Sequence, residues 1–305
     1  MIKGKKAQIP LLLLGPMLLV LVAALVVFRM WPKQEVQPLP DTPLETPASP
    51  RESPQPTLFP SAPLPTPSNI DSYDLTPEQK LRAEQLTSVF ENGTIELQYG
   101  YVEDLDDGRG YTAGRAGFTT ADGDAYEVVQ LYTKLKPNNS LAKYLPVLQE
   151  LAEDGDDSVR ELKGYDKAWR DSADITEFRA AQDAIVDKLY YQPAKSHADR
   201  LGLKLPISRA FLYDTIIQHG NGKDPDGLPS LLNKVIYQGD EVDWLVAMIA
   251  VRKVDLQSPA NSDTRDEWRK ATGRCDVYRE LLDSGNYYLE GPMEIKTKEY
   301  KVTIP

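Results

Sequence analysis

From Trp31 to Ser68 this chain cannot build regular secondary structure. The stretch holds half of the chain's 24 prolines, in runs such as PLPDTPLETPASP and FPSAPLPTP. Each proline fixes φ and removes a backbone donor, which closes both helix and sheet interior to the segment. An extended, semi-rigid stalk is expected instead. A folded domain must therefore lie beyond it, in residues 71–305.

Before the stalk, Ile9 to Phe28 reads IPLLLLGPMLLVLVAALVVF. About 20 apolar residues rising ~1.5 Å each cross a hydrocarbon layer of ~30 Å. Lys3, Lys5 and Lys6 precede the run, and positive charge stays cytoplasmic, so the remainder is expected outside the cytoplasm. A cleaved signal peptide is the competing reading. Its apolar core would be shorter and would end in a small-x-small site, whereas FRMWPKQ follows Val27 here. Pro10 and Pro16 are tolerated in membrane spans. The expected organisation is a cytoplasmic tip and transmembrane signal anchor (1–30), an extracytoplasmic linker (31–70) and a catalytic domain (71–305). If the helix is cleaved, the protein is secreted. A proline-motif docking site in the linker is disfavoured, because such partners are usually intracellular.

The formal charge is −11. Residues 1–30 carry +4 and residues 31–70 carry −2, which leaves −13 on the domain. That balance argues against nucleic acid, which calls for a basic footprint. With one cysteine, Cys275, no intrachain disulfide or cysteine-based zinc cluster is available. His197 and His219 are the only histidines, so a Cys/His nucleophile is disfavoured, and Cys275 is expected to be a small core residue. No metal or cofactor is expected, and the domain is expected to act as a monomer.

Thr76-Pro77-Glu78-Gln79 reads as a helix start, with a Thr cap, Pro at the first position and Gln at N3. Leu81, Leu86, Val89 and Phe90 carry it to about Glu91, and Asn92-Gly93 ends it. TIELQYGYVEDL (94–105) reads as a strand, and the glycine-rich DDGRGYTAGRAGFTTADGD as a loop or hairpin. Helices are expected over 125–135, 139–152, 175–191, 207–219, 228–237, 241–255 and 264–284, punctuated by Pro137, Pro146, Pro193, Pro206 and Pro229. The tail after Asn286 reads as extended. The class is α+β, mainly helical with one small sheet, in two lobes with a cleft between them.

Among 46 acidic side chains, two stand where glycosidic hydrolysis could use them. That chemistry needs one carboxylic acid and one carboxylate. Glu91 closes a helix, where the negative end opposes ionisation and suits an acid kept protonated. Asp107 lies in a glycine-flanked loop that a sugar can approach closely. Thr112 could orient a water. Arg109 could hold a carboxylate or the loop, and is expected among the substrate-binding residues.

The string Glu91-Asn92, Tyr99, EDLDDGRGYTAGRAGF, then GDAYEVVQLYT resembles the glycoside hydrolase family 46 chitosanases. Their signature runs Glu-Asn, Tyr, seven residues, Asp-x-Arg-Gly-x-Thr, an apolar-Gly pair and a further Asp. Here Tyr99 precedes Asp107 by that spacing, Arg109, Gly110 and Thr112 fit the centre, and Ala116-Gly117 and Asp124 fit the end. NSLAKYLPVL, AFLYDTIIQHGNGKDP and AVRK extend the likeness over about 76–285. The resemblance implies a lysozyme-like fold and endo-hydrolysis of β-1,4-linked glucosamine in chitosan with inversion. It implies that Glu91 is the general acid, Asp107 the base and Thr112 a placer of water. It also implies that Asp124 binds a substrate amine, that Tyr101 lines the cleft, and that Asp214, Arg252 and Arg274 form a network behind the catalytic pair. Arg265 and Arg269 compete for the place of Arg274. Asp106 adds a carboxylate that could perturb Asp107. His219 is expected either to contact substrate or to pack locally. The other readings are a peptidoglycan or chitin hydrolase of related fold, and a non-catalytic polysaccharide-binding protein.

Overall fold

The structure, a computed structural model, describes residues 73–262, 265–297 and 301–305. The expected anchor and stalk lie outside the described residues. Among the described residues, no helix is long and apolar enough to cross a membrane.

Helix α1 (Pro77–Asn92) forms as its sequence directs. Thr76 and Gln79 make a reciprocal capping box, and Gly93 closes the helix in the left-handed conformation. This places Glu91 in the last turn. The expected strand over 94–105 shrinks to β1 (Val102–Asp104). Its first half is irregular because its polar backbone bonds to side chains instead: Trp169 Nε1 and Gln182 Nε2 both donate to the Tyr99 carbonyl, at 3.0 and 2.9 Å. The glycine-rich segment supplies β2 (Tyr111–Ala113) and β3 (Phe118–Thr119). The three form an antiparallel sheet in the order β1-β2-β3, with Thr112 opposite Glu103 on one side and Thr119 on the other.

Then follow α2 (Asp124–Leu135), a 3-10 turn (Ala142–Tyr144), α3 (Leu145–Asp154), α4 (Tyr165–Ser172) and α5 (Thr176–Val186). A π turn (Asp187–Tyr191) joins α5 to α6 (Gln192–Leu201). Pro193, read as a break, sits in the first turn of α6, where its missing donor costs nothing. The chain continues with α7 (Pro206–His219), α8 (Leu228–Leu232), α9 (Glu241–Gln257), α10 (Arg265–Lys270) and α11 (Gly273–Asp283). The expected helix over 228–237 is cut to α8, and the one over 264–284 is split in two. The extended tail pairs as a hairpin, β4 (Met293–Lys296) with β5 (Lys301–Ile304), so there are two small sheets among the described residues rather than one.

The sheet and α2 to α5 make one lobe, with α2 packed on α5. Its centre is aromatic: Trp169 lies edge-on to Phe178, with Tyr165 beside it. The other lobe is built on α7, which packs against α1 and α6 and is buried along nearly its whole length. Cys275 is fully buried in α11 of this lobe, and burial pushes its thiol up to about 11.

Candidate active site

Glu91 stands at the C-terminal end of α1, where the last carbonyls oppose negative charge. The structure sets a cation against that effect: Arg274 Nη2 donates to Glu91 Oε1 at 2.5 Å. Arg274 Nη1 also faces Asp214 at 3.4 Å, and Arg252 Nη1 bonds the other Asp214 oxygen at 2.6 Å. All four side chains are buried. Asp214 also accepts from Thr87 at 3.2 Å, and Arg252 donates to Gln218 at 2.9 Å. Arg274 thus fixes the Glu91 carboxyl and ties it, through Asp214, to Arg252.

Asp107 caps its own turn. Its Oδ1 accepts from the Arg109 amide at 3.2 Å, and its Oδ2 accepts from Arg109 Nε and Nη2 at 3.1 and 2.5 Å. Arg109 thus holds both the carboxylate and the loop. Asp106 takes the left-handed conformation at the head of the turn. It is exposed, and its amide is tied to Asp104. Thr112, at the middle of β2, is fully buried, and its hydroxyl has no hydrogen-bond partner among the described residues. A buried hydroxyl without a partner is rare in folded proteins and suits a site that orders a water.

Asp124 opens α2. Its Oδ1 accepts from the amides of Thr119 and Ala125, at 2.6 and 2.9 Å. Burial, reinforced by Asp122, pushes its carboxyl up to about 7 despite those bonds. Tyr101 is half-buried, and its hydroxyl donates to Glu103 at 3.2 Å. Burial and then Glu103 push that phenol up to about 12.

Two of the expected residues take the following places. Arg274 reaches Glu91, whereas Arg269 is turned to the Gln257 carbonyl. His219 has no exposed side-chain surface. Its Nδ1 bonds the Asp226 carbonyl at 2.9 Å and its ring packs edge-on against Trp268. Burial and the nearby Arg252 hold it well below the ordinary imidazole range. In this structure His219 is placed as a packing residue, its Nε2 buried with no hydrogen-bond partner among the described residues.

Sequence reading missed Thr87, Gln218 and the wall in front of Glu91. Glu84, Thr87, Ser88 and Glu91 line one cavity. Their spacing (i, i+3, i+4, i+7) puts four polar groups on one face of α1, and that stripe was the available signal.

The match to the family described as Glycosyl hydrolase family 46 spans residues 85–293. A chitosanase of Bacillus subtilis (strain 168) is 54% identical over 234 residues, covering 74% of this chain and 84% of that protein. A chitosanase of Streptomyces sp. (strain N174) is 36% identical over 232 residues, covering 72% of this chain and 80% of that protein. Among solved structures, native chitosanase from Bacillus subtilis MY002 superposes with a TM-score of 0.68 at 52% identity, covering 76% of this chain and all of that one. A Gynuella sunshinyii GH46 chitosanase in complex with chitotetraose gives a TM-score of 0.67 at 47% identity, covering 76% of this chain and 99% of that one.

Proposed function

The chain belongs to glycosyl hydrolase family 46, and from that premise we propose that it is an endo-acting chitosanase. It cleaves β-1,4 bonds between glucosamine residues with inversion. Glu91 gives its proton to the leaving glycosidic oxygen. Asp107 takes a proton from a water on the opposite face of the sugar, that water attacks the anomeric carbon as the C–O bond breaks, and Thr112 places it. Asp124 holds a substrate ammonium, and Tyr101 flanks the sugar.

The observation that supports this reading is the buried set in which Arg274 holds the Glu91 carboxyl and Asp214 ties Arg274 to Arg252. Polymer selection follows from charge. The −13 on residues 71–305 draws a polycation toward the cleft. An N-acetyl group at Asp124 would forfeit a charge-assisted hydrogen bond, which is a physical ground for preferring chitosan to chitin.

The same reading places the domain outside the cytoplasm, on a stalk (31–70) anchored by residues 9–28, with the catalytic unit in 71–305. Its support is the apolar run behind three lysines. Carbonate extraction of membranes reads it directly: release of intact protein into the soluble fraction would remove the anchor.

The activity test is reducing-end release from chitosans of graded acetylation, with chitin and peptidoglycan in parallel and the product anomer followed by NMR. Glu91→Gln and Asp107→Asn should each lower kcat by about 10³-fold or more in a folded protein. Near-normal turnover in either variant removes that residue from the mechanism, and initial release of the β-anomer removes inversion.

A further inference from the structure

The hairpin that carries Asp107 and Thr112 is anchored at its far end by one buried cation. Arg115 lies in the β2–β3 turn, at the opposite end of β2 from Asp107, and its side chain is only 3% exposed. Its Nη2 reaches Glu84 at 3.1 Å and its Nη1 reaches Asp183 at 2.5 Å. Its amide donates to Gln182 Oε1 at 3.0 Å, and Asp183 also accepts from the Tyr99 hydroxyl at 2.8 Å. The turn is tightly seated. At Gly114, with φ +72°, a Cβ would stand 2.4 Å from Gln182 Oε1 and 2.9 Å from Phe118.

One guanidinium therefore joins three elements: α1, which carries the acid; α5; and the hairpin, which carries the base. Glu84 lies two turns before Glu91 on the same face of α1, and both line the cavity of about 50 Å³ that Arg115 also borders. We propose that Arg115 is a positioning residue: by bridging Glu84 and Asp183 it sets how far the Asp107–Thr112 hairpin stands from Glu91. The proposal rests on the acid–base reading above.

The physical case is one of stiffness. A guanidinium fork between two carboxylates fixes distance and angle where a lysine or an apolar contact does not. β2 is three residues long, roughly 10 Å, so movement at Arg115 is carried to Thr112. An inverting site must hold its two carboxyls apart by enough for one water, and a misplacement of ~1 Å can cost about 10²-fold in rate.

Arg115→Met alone leaves Glu84 buried without its cation, so lost stability would mask the effect. The deciding variant is the double replacement Glu84→Met with Arg115→Met, because an apolar pair in place of a buried ion pair is often neutral for stability. In the full-length protein it should keep its Tm within about 5 °C and its KM for chitosan within about threefold, while kcat falls about 30-fold or more. Arg115→Lys should fall between it and the wild type. Return of kcat together with Tm overturns the proposal. If the double variant does not fold, Asp183→Asn decides: its side chain is 46% exposed, and unchanged kcat at unchanged Tm overturns the clamp. Glu91→Gln is assayed alongside. An inert Glu91→Gln beside a fully active double variant sinks the clamp alone, whereas an active Glu91→Gln sinks the acid–base reading and the clamp with it.

Discussion

Replacing Asp124 by asparagine should make the protein more stable at pH 8 than at pH 5 relative to the wild type, and a poorer binder of a cationic sugar. The carboxyl moves from 3.8 to about 7 on folding, with burial as the largest cause and Asp122 adding to it. A raised folded value means that burial of this group is free below pH 4, where both states are protonated. The cost then grows as pH rises and is complete above pH 7, where both states are ionised. At 1.36 kcal/mol per pH unit the full cost is about 4 kcal/mol, of which about 2.5 kcal/mol is incurred between pH 5 and pH 8. Asp124 is only half-buried and opens a helix, where the macrodipole favours negative charge. Both reduce the figure, and about 2 kcal/mol is the expected gain of the variant over that interval. Asparagine retains an oxygen to accept from Thr119 and Ala125, so the comparison isolates charge. Urea unfolding of both proteins at pH 5 and pH 8 measures it. Parallel pH dependence, within about 0.5 kcal/mol, would refute the idea that burial rather than hydrogen bonding dominates this carboxyl. The same variant should raise KM for chitosan about tenfold, since a charge-assisted hydrogen bond is worth about 1.5–3 kcal/mol.

Three further outcomes follow from the geometry. Gly110→Ala should destabilise by about 3 kcal/mol or more in urea, because the backbone is left-handed and a Cβ would stand 2.3 Å from Thr120 Oγ1 and 3.1 Å from the Asp157 carbonyl. Thr112→Val should leave Tm unchanged or higher, since the hydroxyl has no partner among the described residues, while kcat falls about 10- to 100-fold if it places water; loss of Tm without loss of kcat would reverse that assignment. Arg274→Met should lower both kcat and stability, by about 3–5 kcal/mol for the latter, because it leaves the buried Glu91 without its cation; differential scanning calorimetry and initial rates check it together.

The parts of the fold legible in the sequence were those set by local chemistry. The Thr76–Gln79 capping box and Gly93 fix α1 at both ends within one residue of where the pattern puts them. Pro206 and the apolar run after it do the same for α7. Local signals failed where distant groups decided the outcome. Residues 94–101 have strand composition, yet Trp169 and Gln182 capture the Tyr99 carbonyl that a ladder would have used. Pro193 looks like a terminator, but the π turn before it places it where no donor is needed. Helix α4, with Trp169 and Tyr165 on its buried side, is only eight residues long and follows a charged loop, so no sustained period announced it.

The site divides along the same line. Asp107, Arg109, Gly110 and Thr112 lie within six residues, so a motif can hold them together and local bonds can orient them. The network behind Glu91 draws on Thr87, Asp214, Gln218, Arg252 and Arg274, which lie up to 187 positions apart in the chain. Only the packing of α1, α7, α9 and α11 brings them within bonding distance. Spacing alone could not choose Arg274 over Arg269, because both are basic and five residues apart. What separates them is that α11 buries Arg274 against Phe90 and Glu91 of α1, whereas α10 turns Arg269 outward to Gln257. One hint was nonetheless present: α1 commits Glu84, Thr87, Ser88 and Glu91 to one stripe while its capping signals make it a well-formed helix. A polar stripe at core spacing has to be satisfied by groups from elsewhere. In this protein Arg115 meets Glu84 and Arg274 meets Glu91, while Thr87 donates to Asp214 and Ser88 to the Glu96 carbonyl.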